Sequence, residues 1–386
     1  MKLTANWSYP TSVRFGAGRL SELGEAAAIA GIARPLIVTD PGVARLPMTP
    51  NAAKILAEAG RPTGLFTEVR PNPVAATVEA GLMVLRDGHH DGVVAIGGGS
   101  ALDTGKVIAF MAGQSRPMWD FEDIGDWWTR ADPKGILPII AIPTTAGTGS
   151  EVGRAGVITD ERTHVKKVIF HPLMMPKVTI CDPELTVGMP AVITAGTGMD
   201  ALAHCLEAYC GVGYHPLADG IAVEGMRLVK ESLVSVYRNG TDLTARAHMM
   251  SAAAMGATAF QKALGAMHAL SHPVGALYDT HHGLTNAVFM PYVLQFNRTA
   301  IEDRIVRLSA YLGLHPSFDA FLEWVLRLRE DLGVPHTLGG LGVDDARFAE
   351  MSHMAPSDPT AGGNPVTLDQ EAALGLYRRA LTGSLS

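Results

Sequence analysis

Asp200 and His204 stand four residues apart in the run Gly-Met-Asp-Ala-Leu-Ala-His-Cys-Leu-Glu-Ala-Tyr, a spacing that on a helix puts both side chains on one face, a turn apart. His268 opens His-Ala-Leu-Ser-His-Pro-Val-Gly-Ala, and His282 lies in Thr-His-His-Gly-Leu-Thr-Asn. Three imidazoles and one carboxylate suit a borderline divalent cation such as iron or zinc. Taken singly, an Asp-x-x-x-His pair also reads as a helix-surface ion pair, and a histidine near a proline as a satisfied core residue. The background favours the metal. Segments 195–208 and 251–277 are dominated by Ala, Met, Leu and Gly, and imidazoles in so apolar a background are costly to bury without a partner.

These elements follow a region that reads as alternating strands and helices, the pattern of a doubly wound sheet. An extended piece near 11–15 precedes a helix at 21–30 with Ser21 as N-cap. Strands are then expected at 35–40, 64–69, 91–96, 136–142 and 177–181, and helices at 51–59, 74–87 and from about Leu102. Segments 155–159 and 167–170 read as a hairpin. The strand at 91–96 runs straight into Gly97-Gly98-Gly99-Ser100, where glycines let backbone N–H groups approach a phosphate at a helix N-terminus. Asp40, at the end of its strand, can meet a ribose or serve only as a turn residue before Pro-Gly. The acid precedes the glycine loop, and the loop is not Gly-x-Gly-x-x-Gly, so the ordinary Rossmann fingerprint does not apply.

Gly-Met-Asp-Ala-Leu-Ala-His at 198–204, His268 with His-Pro-Val-Gly-Ala at 272–276, and His-Gly-Leu-Thr-Asn at 282–286 resemble the signatures of the iron-containing (group III) alcohol dehydrogenases. The resemblance extends through Gly-Gly-Gly-Ser-Ala-Leu-Asp-Thr-Gly-Lys at 97–106, Pro-Thr-Thr-Ala-Gly-Thr-Gly-Ser-Glu at 143–151 and Asp-Pro-Glu-Leu-Thr at 182–186. It runs from about residue 35 to 300 and is loose beyond. It implies an α/β, Rossmann-like N-terminal domain with a mostly parallel sheet, followed by an all-α domain, the architecture shared with dehydroquinate synthase. It also implies NAD and one divalent metal, iron(II) first and zinc(II) second, on Asp200, His204, His268 and His282.

By the same resemblance, Gly97, Gly98 and Gly99 hold the pyrophosphate, with Ser100 and Asp103 in the same motif, and Asp40 meets the adenosine ribose. Asn72 lies close to the cofactor, and Thr144, Thr145, Gly147 and Thr148 contact it. Leu185 is counted with these positions. Lys166 matches a lysine near the nicotinamide ribose, although it also reads as an exposed strand lysine. His272 matches a histidine that lies near the substrate without binding the metal; helix C-terminal packing is its other reading. His281 reads as incidental.

At 386 residues the chain suits two domains, expected at 1–185 and 186–386. Helices are expected at 217–236, 245–270, 301–312, 318–332, 345–353 and 368–382. A net charge of -7 argues against nucleic acid or an anionic membrane as partner. Cys181, Cys205 and Cys210 form no CxxC pair, and the first ten residues lack a signal peptide's apolar core, so a cytoplasmic protein is expected. The segment 119–130 receives no role.

The expected reaction joins a dinucleotide cradle to a buried cation across a cleft: hydride passes between a small alcohol or its aldehyde and nicotinamide C4, while the metal polarises the substrate oxygen. A primary alcohol, a diol or a hydroxyacid such as 4-hydroxybutyrate fits. A maleylacetate reductase would lack the full ligand set, and a glycerol dehydrogenase resembles the pattern less closely. A dehydroquinate synthase-like lyase would need Lys and Arg around the metal, where this chain has few. A homodimer or higher homo-oligomer is expected from the family and from an exposed strand at the sheet edge.

Overall fold

The computed structural model describes residues 5–7, 11–163 and 165–385, the first three by backbone alone. Most of the ten residues read for a leader therefore lie outside the description. The chain forms two compact units, one comprising residues up to Thr145 with Gly149–Gly188, the other Ala146–Thr148 with Met189–Ser386.

In the first unit the described strands are β1 (Ala5–Trp7), β2 (Ser12–Phe15), β3 (Pro35–Val38), β4 (Gly64–Phe66), β5 (Gly92–Gly97), β6 (Ile139–Pro143), β7 (Ala155–Asp160), β8 (Val165–Phe170) and β9 (Val178–Cys181). Seven of them make one sheet in the order β1-β2-β9-β6-β5-β3-β4, parallel except for the β1–β2 pair. β7 and β8 form a separate antiparallel hairpin. Helices α1 (Leu23–Ala30) and α2 (Met48–Glu58) cover one face of the sheet, and α3 (Ala75–Asp87) and α4 (Gly99–Met111) the other. Ile37, Val94, Ile140 and Ile180 pack towards α1 and α2, while Leu36, Val93, Ala95 and Ile139 pack towards α3 and α4. With both faces buried, strands read as unbroken apolar runs. The chain leaves β3 for β4 on one side and returns to β5 on the other, so the order reverses between β3 and β5. In open α/β sheets the ligand crevice lies at the carboxyl ends of the strands flanking such a reversal.

The helices of the second unit are α5 (Ala191–Cys210), α6 (Pro216–Arg238), α7 (Leu243–Ala259), α8 (Ala266–Tyr278), α9 (His282–Tyr311), α10 (Phe318–Asp331), α11 (Phe348–Met354) and α12 (Gln370–Thr382). None of its described residues forms a strand. Among the described residues no helix is long and apolar enough to cross a membrane.

Several boundaries differ from the sequence expectation. Ser21 is not an N-cap: a short 3₁₀ turn, Arg19–Glu22, precedes α1, and the Ser21 hydroxyl donates back to the Gly18 carbonyl. α4 starts at Gly99, three residues before Leu102, because Gly98 is extended and the helix begins on the glycine loop itself. The helix expected at 245–270 is two helices, α7 and α8, and that at 301–312 is the end of the 30-residue α9. The segment 119–130 forms 3₁₀ turns at Met118–Phe121 and Trp127–Arg130, with Lys167 over Trp119 and Arg130 over Trp127.

Candidate metal centre and cofactor loops

α5 supplies Asp200 and His204 from one face, α8 supplies His268 near its start, and His282 is the first residue of α9. Nε2 of His204, His268 and His282 lie 3.9, 3.8 and 3.5 Å from the same oxygen, Asp200 Oδ1. Asp200, His204 and His268 each offer a donor atom within 4.8 Å of the other two. All three are buried, at 3%, 5% and 2% exposure. Donors around a cation with bonds of about 2.1 Å stand roughly 3.4 Å apart in a tetrahedron, so the residues present fit a cation with little movement.

Close helix packing sets this geometry. A Cβ on Gly283 would fall 2.1 Å from the Gly196 carbonyl oxygen and 3.0 Å from Asp200 Cβ, so α9 can approach α5 only with glycine beside His282. Burial lowers the pKa of His204, which favours the neutral ligand form. Burial would lower that of His268 as well, but the charge of Glu207 and a hydrogen bond to it hold it above the usual value.

Asn286 escaped the sequence reading as a functional residue. Its amide nitrogen lies 2.9 Å from Asp200 Oδ1 and 3.2 Å from Nε2 of both His268 and His282, and its Oδ1 is buried with no hydrogen bond. The available signal was its spacing of four from His282 on one helix. The amide nitrogen thus sits against three of the four candidate ligands.

His272 lies one turn after His268, and Pro273 does not end α8, which runs on to Tyr278. Its ring stacks on His282 with centroids 5.4 Å apart, and its Nδ1 lies 2.8 Å from Asp358 Oδ2. Burial works against the Asp358 charge, yet His272 and the donors of Thr360 bring its carboxyl down to about 2. Asp358 was not singled out in the sequence. His281 caps α9, its Nδ1 accepting from the Leu284 N–H.

In the first unit the positions expected to bind a dinucleotide collect at the carboxyl ends of β3, β5 and β6. Gly97 has φ 148°, and a Cβ there would lie 2.6 Å from Ala101 Cβ and 3.4 Å from Asp40 Oδ2. That conformation and approach require glycine. Asp40 Oδ1 accepts the Gly42 and Val43 N–H groups, so the residue also holds its turn. A Cβ on Gly98 would touch the Thr145 methyl at 3.3 Å, and the Thr144 N–H donates to the Gly97 carbonyl. Gly99 opens α4, and the Ser100 hydroxyl donates to the Pro71 carbonyl, tying the loop that holds Asn72 to the glycine turn. The hairpin joins the same loop: the Thr159 N–H donates to the Pro73 carbonyl, and Lys166 pairs across the strands with Thr159.

Asp103 and Leu185 stand apart from that cluster. Both Asp103 oxygens are engaged within the chain, by the Ser150 hydroxyl and the Val157 N–H, with Lys106 3.2 Å away. Leu185 sits in a 3₁₀ turn and packs on the α1–α2 side of the sheet. Gly147 and Thr148 group with the second unit, where a Cβ on Gly147 would meet Thr197 of α5 at 2.7 Å.

The chain matches the family model for iron-containing alcohol dehydrogenase over residues 10–183 and that for the C-terminal part of the same family over 194–381. It is 39% identical to 4-hydroxybutyrate dehydrogenase of Cupriavidus necator, covering 98% of this chain and 99% of the relative. Among solved structures it resembles 1,3-propanediol oxidoreductase, with a TM-score of 0.91 and 34% identity over 99% of both chains. It also resembles sulfoacetaldehyde reductase from Bifidobacterium kashiwanohense in complex with NAD+, with a TM-score of 0.86 and 29% identity over 100% of both. The chain belongs to the iron-containing alcohol dehydrogenase family.

Proposed function

We propose that this alcohol dehydrogenase interconverts a small alcohol and its aldehyde with NAD(H), using a single divalent cation, iron(II) before zinc(II), held by Asp200, His204, His268 and His282. The observation that carries this reading is the convergence of three buried or half-buried imidazoles on one oxygen of Asp200. When bound, the cation supplies Lewis-acid stabilisation of charge on the substrate oxygen, and NAD supplies the hydride acceptor.

The protein's own groups do the rest. His272, its Nδ1 engaged by Asp358, offers Nε2 to take the alcohol proton and return it to the aldehyde oxygen. Gly97, Gly98 and Gly99 admit the pyrophosphate to the N-terminus of α4, and the free oxygen of Asp40 accepts from the adenosine ribose. Asn72, Ser100, Thr144, Thr145, Gly147, Thr148 and Lys166 line the dinucleotide. Asp103 and Leu185 belong to the same proposed set, and Asp103 also ties α4 to the hairpin through the Val157 N–H.

The substrate class favoured is a hydroxyacid or diol of a few carbons, because 4-hydroxybutyrate dehydrogenase and 1,3-propanediol oxidoreductase are both similar over nearly the whole chain. Three free, buried cysteines support a reducing, cytoplasmic setting, and the terminal strands β1 and β4 of the sheet support a homodimer or higher homo-oligomer. The test is NADH consumption by metal-reconstituted protein over succinic semialdehyde, 3-hydroxypropanal and simple aldehydes. Turnover of the first two that is lost on chelation is expected. Turnover indifferent to chelation, or none with any aldehyde, would overturn the reading.

A further inference from the structure

Glu207 lies on the same stripe of α5 as Asp200 and His204, three residues beyond the latter, and is 5% exposed. Its only ion-pair partner among the described residues is His268, 61 positions away, whose Nδ1 lies 2.5 Å from Glu207 Oε2. The other oxygen, Oε1, accepts the Met267 N–H at 2.6 Å. That N–H is one of the free donors in the first turn of α8, whose N-cap, Gly265, has no side chain to cap it. A Cβ at Gly265 would lie 3.1 Å from Oε1, so the glycine leaves the carboxylate room to reach the helix end.

We propose that Glu207 is a positioning residue of the metal centre, fixing at once the tautomer of His268 and the start of the helix that carries it. An ionised carboxylate only accepts hydrogen bonds, so its neighbour must carry the proton on Nδ1. Nε2, the nitrogen 3.8 Å from Asp200 Oδ1, is then left with its lone pair free for a cation. The same contact sets the depth of His268, because the Met267 N–H and the His268 ring are held by the two oxygens of one rigid group. α5 thus contributes two ligands directly and orients a third.

This role rests on the metal reading given above, and the test separates the two. In metal-free wild type at a pH alkaline enough to leave the ring neutral, nitrogen-15 shifts of the histidine rings should report the His268 proton on Nδ1; a neutral ring with its proton on Nε2 would overturn the role without any substitution. Glu207→Gln is the informative variant. Its carbonyl can still accept from Met267, but its NH₂ then faces His268 and demands the opposite tautomer, with a proton on Nε2. Melting temperature of the metal-free variant should stay near wild type, while zinc(II) affinity, read by competition with a chromophoric chelator, falls on the order of 10- to 100-fold. Glu207→Ala should lose both. Wild-type zinc affinity in Glu207→Gln would overturn the proposal, whereas a wild type that takes up no zinc or iron would overturn the metal reading on which it stands.

Discussion

Replacing Gly283 by alanine tests whether the α5–α9 crossing sets the ligand spacing. The added Cβ would stand 2.1 Å from the Gly196 carbonyl oxygen. A carbon and a carbonyl oxygen settle at about 3.4 Å, so the helices must part by on the order of 1 Å. Metal sites tolerate ligand displacements of about 0.2 Å, and Asp200 and His282 ride on the two helices that would separate. Overpacking of this kind costs about 1–3 kcal/mol, which for a unit of this size is a drop in Tm of roughly 2–12 °C. Cation affinity should fall by about tenfold or more. Differential scanning calorimetry and chelator competition read the two effects on one preparation. Gly220→Ala in α6 is the control: it has open space around it, so the Tm should hold or rise. If Gly283→Ala keeps both Tm and cation affinity, the close crossing does not define the site.

Asp40→Asn keeps the acceptor for Gly42 and Val43 but removes the charge. With a 2′-phosphate about 5 Å away at an effective dielectric near 20, that charge disfavours NADP by roughly 3 kcal/mol, or about a hundredfold, and competition binding of NADH and NADPH should show the gap narrowing; an unchanged preference would reduce Asp40 to a turn residue. His272→Ala should retain the metal and fold but lose turnover by about a hundred- to ten-thousandfold. A lowered Tm with normal turnover per folded molecule would make it a packing residue. Burial raises the Glu151 carboxyl from 4.5 to about 7, so the folded chain binds the extra proton between those values and stability falls as pH rises through them. Glu151→Gln should flatten that slope in a urea series and add up to roughly 3 kcal/mol at pH 8, and an unaltered slope would show the carboxyl already ionised near pH 5.

The parallel strands were legible because burial on both faces leaves unbroken apolar runs, and the glycine loop because Gly97 needs a conformation other residues resist. Asp200 and His204 were legible because helical spacing alone places them. The break between α7 and α8 was not: Gln261 and Lys262 interrupt the apolar run without a proline to stop the helix, and the start of α8 is settled by acceptors far along the chain, Glu207 on Met267 N–H and the Asn364 side chain on Ala266 N–H. Asp358 was invisible for the same reason, being 86 positions from His272 and outside the region of clear resemblance. At Asp103 the motif gave no sign of the residue's contacts within the chain, where its two oxygens accept from the Ser150 hydroxyl and from the Val157 N–H of the hairpin.

The most direct test of the central claim is an anaerobic titration of metal-stripped protein with iron(II), following bound metal and NAD-linked oxidation of 4-hydroxybutyrate or 1,3-propanediol together. A metal-centred mechanism requires turnover to rise in proportion to bound iron, to stop at one ion per chain, and to be absent across the same titration in His282→Ala. Full turnover by the stripped protein, or turnover in His282→Ala equal to wild type, would contradict it.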